Sequence, residues 1–305
     1  MAPKVSICIP VYNVEKYIAR CLDSVVNQTL RDIEIIVVND ATPDNSMEIV
    51  RRYAEEDSRI RIIENEHNRG LMATRRVGYM AATGDWLTFV DSDDWLPENA
   101  VELLYRKAME TGADLVSGAF QRVDGHGKYG AIFKGEMTFG NDRLGLFKAI
   151  VNYNIAHCLW SKLYRRSIWQ EFDYIVFENC TLSEDLGAFF QYIDHCNSWA
   201  LADSVVYYYF TNSESLMHNV TLHAFECNCK NIKICDDIMR KYRELDEDRE
   251  RYFTKCCSRA SLHLSYYKLL KKYGMHRYVS LECVCRHFIV VVIGRIKRLL
   301  QMIPV

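Results

Sequence analysis

Residues 5–29 read "VSICIPVYNVEKYIARCLDSVVNQT", and a change of period inside this stretch decides the fold. Val5 to Val11 is an apolar run rich in β-branched residues, as expected of a strand covered on both faces. Further on the spacing lengthens, and Ile18, Leu22, Val25 and Val26 fall on one helical stripe. The same alternation repeats downstream. "IEIIVVND" (33–40) reads as a second buried strand, followed by a helix near 45–57 and a short strand in "IRIIEN" (60–65). A helix in "GLMATRRVGYMAATG" (70–84) and a strand in "WLTFVD" (86–91) come next. Strand–helix alternation with short connections predicts right-handed βαβ units and a parallel sheet, an α/β fold. Ligands of such sheets sit beyond the carboxyl ends of the strands. The residues there are Pro10, Val11, Tyr12 and Asn13, then Asn39 and Asp40, then Asp91, Ser92 and Asp93.

The composition sets bounds. The chain has 305 residues, 49% apolar and 26% charged, enough for a sizeable core and without a low-complexity tract. A formal net charge of -2 does not suit a protein built to coat a nucleic acid. The charge is unevenly placed. From Lys268 to Val305 there are eight Lys/Arg against the single acid Glu282, a local +7, which leaves -9 for the remainder. None of the 12 cysteines has C-x-x-C spacing, so a structural zinc site is not indicated. "MAPKVSICIPVYN" starts a strand at once without the pattern of an export signal, so the thiols are expected to be reduced and to act as small hydrophobes. Residues 115–215 mix strands and helices less regularly, and the pattern is helical from about 221. Three parts are expected: 1–110 with regular strand–helix alternation, 111–220 less regular, and 221–305 as a helical extension.

"FVDSDDW" (89–95) crowds Asp91, Asp93 and Asp94 where a buried strand reaches the surface. Like charges packed without a partner raise each other's pKa, and a divalent cation removes that penalty. Carboxylate oxygens suit Mg²⁺ or Mn²⁺, which usually complete their shell with water and a substrate's phosphates. The simpler reading is that Asp94 and its neighbours cap a helix opening at Pro97, a duty for which one Asp would suffice. Neither G-x-G-x-x-G nor G-x-x-x-x-G-K-[ST] occurs, so a dinucleotide fold and a P-loop lack support.

Together, "VSICIPVYNVEKYIARCLDSVVNQT", "IEIIVVNDATPDNS", "NRGLMATRRVGYMAATGDWLTFVDSDDWL" and "SEDLGAFFQY" (183–192) resemble the family 2 glycosyltransferases of GT-A fold. The resemblance is dense over the first 110 residues and returns as islands to about 218. It implies that Pro10, Tyr12 and Asn13 contact a nucleotide, that Asp40 accepts from a uracil ring, and that Arg75 helps to hold the nucleotide. It further implies that Asp93 ligates a metal directly, with Asp91 and Ser92 nearer the ribose and metal shell, and that Asp185 is the catalytic base. Two departures stand out: Asn39-Asp40-Ala41 replaces the usual acidic-acidic-glycine, and Arg76 stands where Asn is common.

The residues themselves agree. Sugar transfer with inversion needs a stabilised diphosphate leaving group and a base for the acceptor hydroxyl. "TLSEDLGAFF" (181–190) offers Glu184 and Asp185. Thr181 to Glu184 is also a capping-box pattern, which leaves Glu184 open between a helix cap and chemistry. Trp160, followed by Lys162, Arg165 and Arg166, reads either as a core aromatic beside a solvated basic turn or as a platform for an acceptor sugar. His218 is a candidate further metal ligand or a structural histidine. Asn68, Gly70, Gly84 and Asp85 read as turn residues.

The tail "RHFIVVVIGRIKRLLQMIPV" (286–305) is too short in its apolar run to span a membrane. Arg286, Arg295, Lys297 and Arg298 among aliphatics suit a helix lying on a membrane surface; the alternative is a terminal helix packed on protein. The resemblance implies a Mn²⁺- or Mg²⁺-dependent inverting glycosyltransferase on the cytoplasmic side of a bacterial membrane, moving a hexose or N-acetylhexosamine from a UDP-sugar to a hydroxyl of a lipid-linked glycan. Two rival readings fit less well. A nucleotidyltransferase usually has a glycine-rich basic first loop, whereas this one is "IPVYNVEKY". A catalytically inactive binding protein would have no need of Asp91, Asp93 and Asp185 together.

Overall fold

The structure, a computed structural model, describes residues 3–136, 139–180, 182–211, 221–258 and 264–279. The expected alternation is present: β1 (Val5–Val11), α1 (Ile18–Val26), β2 (Ile33–Asn39), α2 (Ser46–Glu56), β3 (Ile60–Glu64), α3 (Leu71–Ala81) and β4 (Trp86–Phe89). Next come α4 (Ala100–Thr111), β5 (Leu115–Asp124), β6 (Tyr129–Phe133), β7 (Phe139–Gly140) and α5 (Arg143–Val151). Then follow β8 (Lys162–Arg165), α6 (Arg166–Gln170), α7 (Glu184–Ile193) and β9 (Trp199–Thr211). Helices α8 (Leu222–Met239), α9 (Asp246–Ser258) and α10 (Leu264–Lys272) form the C-terminal extension.

One sheet runs through the molecule in the order β3-β2-β1-β4-β8-β5-β9-β7, with β6 on β5. The first four strands in that order pair in parallel. β8 inserts antiparallel between β4 and β5, while β9 returns parallel to β5. The stretches 1–110 and 111–220 therefore share a single sheet. Its two faces carry two cores, as period-2 side-chain alternation requires. From β1 and β2, Ile7, Ile9, Ile35 and Val37 face the α1, α2 and α4 side. Cys8, Ile36 and Val38 face the side covered by α3, α5 and α7. Every residue of β1 is buried, and truncating one, Ile7→Ala for instance, is expected to cost about 2–5 kcal/mol.

The extension is tied to α7. Gly187 sits where a Cβ would collide with the Asn231 side chain of α8, so a larger residue there would displace Asn231. Asp236, 1% exposed, accepts from Arg240 Nε at 2.9 Å and also bonds the Arg277 guanidinium and the Tyr278 hydroxyl. Nine cysteines have described side chains, and all nine are free thiols, eight of them buried. No helix among the described residues is long and apolar enough to cross a membrane.

Candidate active site

β1, β2 and β4 end side by side, since Val11 pairs with Asn39 and Cys8 with Phe89. The residues that follow therefore share one edge. The turns after β1 and β2 are laced together: Asn13 N–H donates to Thr42 Oγ1 at 2.7 Å, Val14 N–H to Ser46 Oγ at 3.2 Å, and Glu15 N–H to Asp44 at 2.8 Å. Asn13 and Ala41 both take positive φ, 56° and 53°. Ala41 occupies the place where glycine is usual in the resembled motif, and its backbone has kept the left-handed shape that favours glycine. Pro10 is buried within β1, whereas Tyr12 is exposed.

Asp40 is buried and accepts from Asn65 Nδ2 at 2.9 Å, Arg69 N–H at 2.8 Å and Gly70 N–H at 3.0 Å. A carboxylate offers about four acceptor positions, so one is left for a ligand's N–H. Gly70, immediately before α3, has φ 83°, and a Cβ there would lie 2.7 Å from the Asn179 backbone. Asn68 Oδ1 accepts from the same Gly70 N–H at 3.0 Å.

Arg75 lies on the second turn of α3 with its side chain 3% exposed. Its Nη2 donates to Asp91 Oδ1 at 2.6 Å. Its Nη1 bonds Asp185 Oδ1 and lies 3.4 Å from Glu184 Oε1. One cation thus gathers the end of β4 and the start of α7, and three carboxylates against one guanidinium leave a formal -2. Burial, then the neighbouring Asp185 charge, push the Glu184 carboxyl up to about 7, while Arg75 opposes the rise. Burial also raises Asp185, again against the pull of Arg75. The second Asp185 oxygen, Oδ2, accepts from Leu159 N–H at 3.4 Å.

Thr181, the other half of the capping box, lies outside the described residues. However, α7 begins at Glu184 itself, one residue after Ser183, so Glu184 is not at the third helical position that a box requires. Ser183, at φ 57°, precedes the helix with no side-chain cap, and its hydroxyl donates instead to Asn228 Oδ1 at 2.6 Å. Glu184 opens the helix and turns its carboxylate toward Arg75.

Asp94 does not cap a helix either. α4 begins at Ala100 after Asn99. Asp94 is fully buried and accepts from the Tyr207 hydroxyl at 2.7 Å and from Phe210 N–H at 2.7 Å. The Tyr207 hydroxyl also accepts from Asp91 N–H at 3.1 Å. Burial and the charges of Asp93 and Asp91 push the Asp94 carboxyl well up. Asp94 and Tyr207 therefore clamp the acidic loop to β9, leaving Asp91 and Asp93 as the half-buried carboxylates of the loop beside the buried Ser92. The Asp93 carbonyl accepts from Arg20 at 2.8 Å, and the Arg20 guanidinium lies 3.8 Å from the Trp95 ring.

Among the described residues, no three His, Cys, Asp or Glu side chains form a metal cage. Two loop carboxylates beside a cluster of net negative charge do fit Mg²⁺ or Mn²⁺, which take few protein oxygens and keep water and phosphate ligands. His218 lies outside the described residues.

Trp160 is 8% exposed and stacks on Tyr207 at 4.6 Å and Tyr209 at 5.3 Å, with Phe120 edge-on at 4.8 Å. Its ring is committed to the core, so the sugar-platform reading needs a face that the fold has covered. The basic run is not a solvated turn: Lys162 is fully buried, Arg165 bonds Asp114 at 2.8 Å, and Arg166 bonds the Gly84 carbonyl. Arg76 meets Asp173 at 3.7 Å and the Tyr174 carbonyl at 3.3 Å. Sequence reasoning missed Tyr207 as a partner of the acidic loop. The alternation in "VVYYYFT" (205–211) carried the signal, since Tyr207 and Tyr209 face one side of β9.

Fold and edge together define an α/β architecture of GT-A type with an acidic loop at the carboxyl end of its parallel strands. The glycosyl transferase family 2 model matches residues 6–172, and the chain belongs to that family. Glycosyltransferase GlyA of Streptococcus pneumoniae is 36% identical over 176 residues, 55% of this chain and 25% of the relative. The uncharacterized glycosyltransferase EpsJ of Bacillus subtilis is 34% identical over 225 residues, 71% of this chain and 63% of that protein. The chain thus spans less than two thirds of either relative. S. aureus TarS 1–349 in complex with UDP-GlcNAc superposes with a TM-score of 0.66 at 19% identity, over 90% of this chain and 89% of that one, a likeness of fold.

Proposed function

We propose that the chain is a metal-dependent, inverting glycosyltransferase that moves a hexose or N-acetylhexosamine from a UDP-sugar to a hydroxyl of a glycan acceptor. The observation that carries this reading is Arg75, which draws Asp91 of the acidic loop and Asp185 of α7 onto one guanidinium. The leaving-group side and the base side of a transfer reaction thereby meet.

In this reading Asp40 and the turn at Pro10, Tyr12 and Asn13 receive the nucleotide, and Asp91 and Asp93 hold Mn²⁺ or Mg²⁺. The ion, when bound, supplies Lewis-acid stabilisation of the diphosphate charge. Asp185 takes the proton of the acceptor hydroxyl; the acceptor oxygen bonds the anomeric carbon from the face opposite the diphosphate. The bond from that carbon to the β-phosphate oxygen breaks, and UDP departs with the electron pair. Glu184, beside Asp185, adds negative charge that Arg75 offsets. The likeness of fold to TarS, whose complexes hold UDP-GlcNAc and UDP, supports a uridine nucleotide donor. A lipid-linked acceptor in surface polysaccharide synthesis suits the basic segment after Lys268, most of which lies outside the described residues.

Calorimetric titration with UDP and a panel of UDP-sugars, in Mn²⁺ and again after EDTA, tests the reading. It predicts UDP binding that falls by about tenfold or more on metal removal, since the ion that Asp91 and Asp93 would hold offsets the diphosphate charge. Binding indifferent to EDTA contradicts it.

A further inference from the structure

Lys162 opens β8 and is fully buried, yet among the described residues no carboxylate pairs with its ammonium. Its Nζ donates to the Trp160 carbonyl at 3.3 Å and to Cys158 Sγ at 3.4 Å, and lies 5.2 Å from the Phe189 ring centre. Burial lowers its pKa, while Cys158 and Asp185 act in the opposite sense. Its charge in turn adds to burial in pressing neighbouring His157 down to about 4. Burying an ammonium with two weak acceptors is costly, and an apolar side chain of similar length would fill the same space without that cost.

What the ammonium holds is the segment Cys158 to Trp160. Leu159, at its centre, gives its N–H to Asp185 Oδ2, and the Tyr164 hydroxyl donates to the Leu159 carbonyl at 2.8 Å. Asp185 is thus gripped on one oxygen by Arg75 and on the other by a peptide that β8 braces from behind through Lys162 and Tyr164. The groups that face Asp185 are Arg75 from α3, Asp91 from the acidic loop, Glu184 from its own helix, and Lys162.

We infer that Lys162 is a positioning residue for sugar transfer: it fixes the Cys158–Trp160 peptide that aims Asp185 and sets a second positive charge behind the acid cluster. The inference rests on the proposed role of Asp185 as base. Lys162 touches neither donor nor acceptor and acts through Leu159 and Asp185.

The test compares Lys162→Met, Lys162→Gln and Asp185→Asn in the full chain, measuring transfer kinetics, UDP affinity with Mn²⁺, and thermal unfolding. Lys162→Met is expected to lower kcat roughly 10- to 100-fold, the effect of misplacing a reacting group by about 1 Å. UDP affinity should stay within about twofold, since only transition-state contacts are lost. The melting temperature should not fall, because a buried charge is removed. Lys162→Gln, which can still donate to the Trp160 carbonyl, should recover part of kcat. If Lys162→Met keeps kcat within about threefold while Asp185→Asn is inactive, the inference falls and the base assignment stands. If the melting temperature and UDP affinity drop with kcat and glutamine recovers nothing, Lys162 is only structural and the inference falls. If Asp185→Asn itself retains turnover, the base assignment falls and takes the inference with it.

Discussion

Arg75 on α3 is bonded to Asp185 on α7, a contact that spans 110 residues of chain. The same guanidinium holds Asp91, so one side chain sets the relation between the two halves of the site. Arg75→Met should leave three largely buried carboxylates without their cation. Breaking a buried charge pair in this way is expected to destabilise the fold by about 3–5 kcal/mol at pH 8. The deficit should shrink toward pH 5 as Glu184 and Asp185, both raised by burial, take up protons. Urea unfolding at the two pH values reads the difference directly.

Glu184 predicts a pH dependence of its own. Its carboxyl is raised from 4.5 to about 7 in the folded chain, so the folded state binds that proton more tightly than the unfolded one. The stabilisation is fully present below pH 4.5 and is lost as pH rises through 7. Glu184→Gln removes the ionisation and is expected to be more stable than the parent at pH 8, on the order of 2 kcal/mol, with little difference near pH 4. Melting curves across this range check it; equal stability at pH 8 would contradict the assigned shift.

Tyr207 bridges the acidic loop and β9 through one hydroxyl. Tyr207→Phe leaves the buried Asp94 carboxyl and the Asp91 N–H each short of a partner, at an expected cost of about 1–3 kcal/mol. Because the loop loses its clamp, affinity for UDP with Mn²⁺ should weaken as well, and calorimetry on the variant measures this. A variant with unchanged stability and affinity would show that the loop is held elsewhere.

At Ala41 the backbone has φ 53°, a conformation that carries a penalty for any residue with a Cβ. Ala41→Gly is expected to raise stability by about 1 kcal/mol, since the native strain relieved exceeds the added freedom of the unfolded chain. A lower melting temperature would contradict it.

Much of this was legible in the sequence because β1, β2 and β4 are buried on both faces and end in polar residues. Continuous apolar runs mark such strands, and the parallel sheet then forces Asn13, Asp40 and Asp91 to one edge. β8 was not legible. "KLYR" is four residues long and half charged, and its place between β4 and β5 depends on pairing with strands far away in the chain. For the same reason Lys162 looked like part of a solvated basic turn: a buried lysine breaks the pattern from which burial is inferred. For Asp94 and Glu184 local spacing also permits a helix cap, and it could not exclude one because their actual partners, Tyr207 and Arg75, come from distant strands and helices.

Transfer by Asp185→Asn tests the central claim most directly. With Mn²⁺, a UDP-sugar donor and a glycan acceptor, turnover should fall about 10²- to 10⁴-fold, the usual contribution of a positioned general base, with UDP affinity preserved. Near-normal turnover by the folded variant would contradict the account, because Asp185 would then be only the structural partner of Arg75.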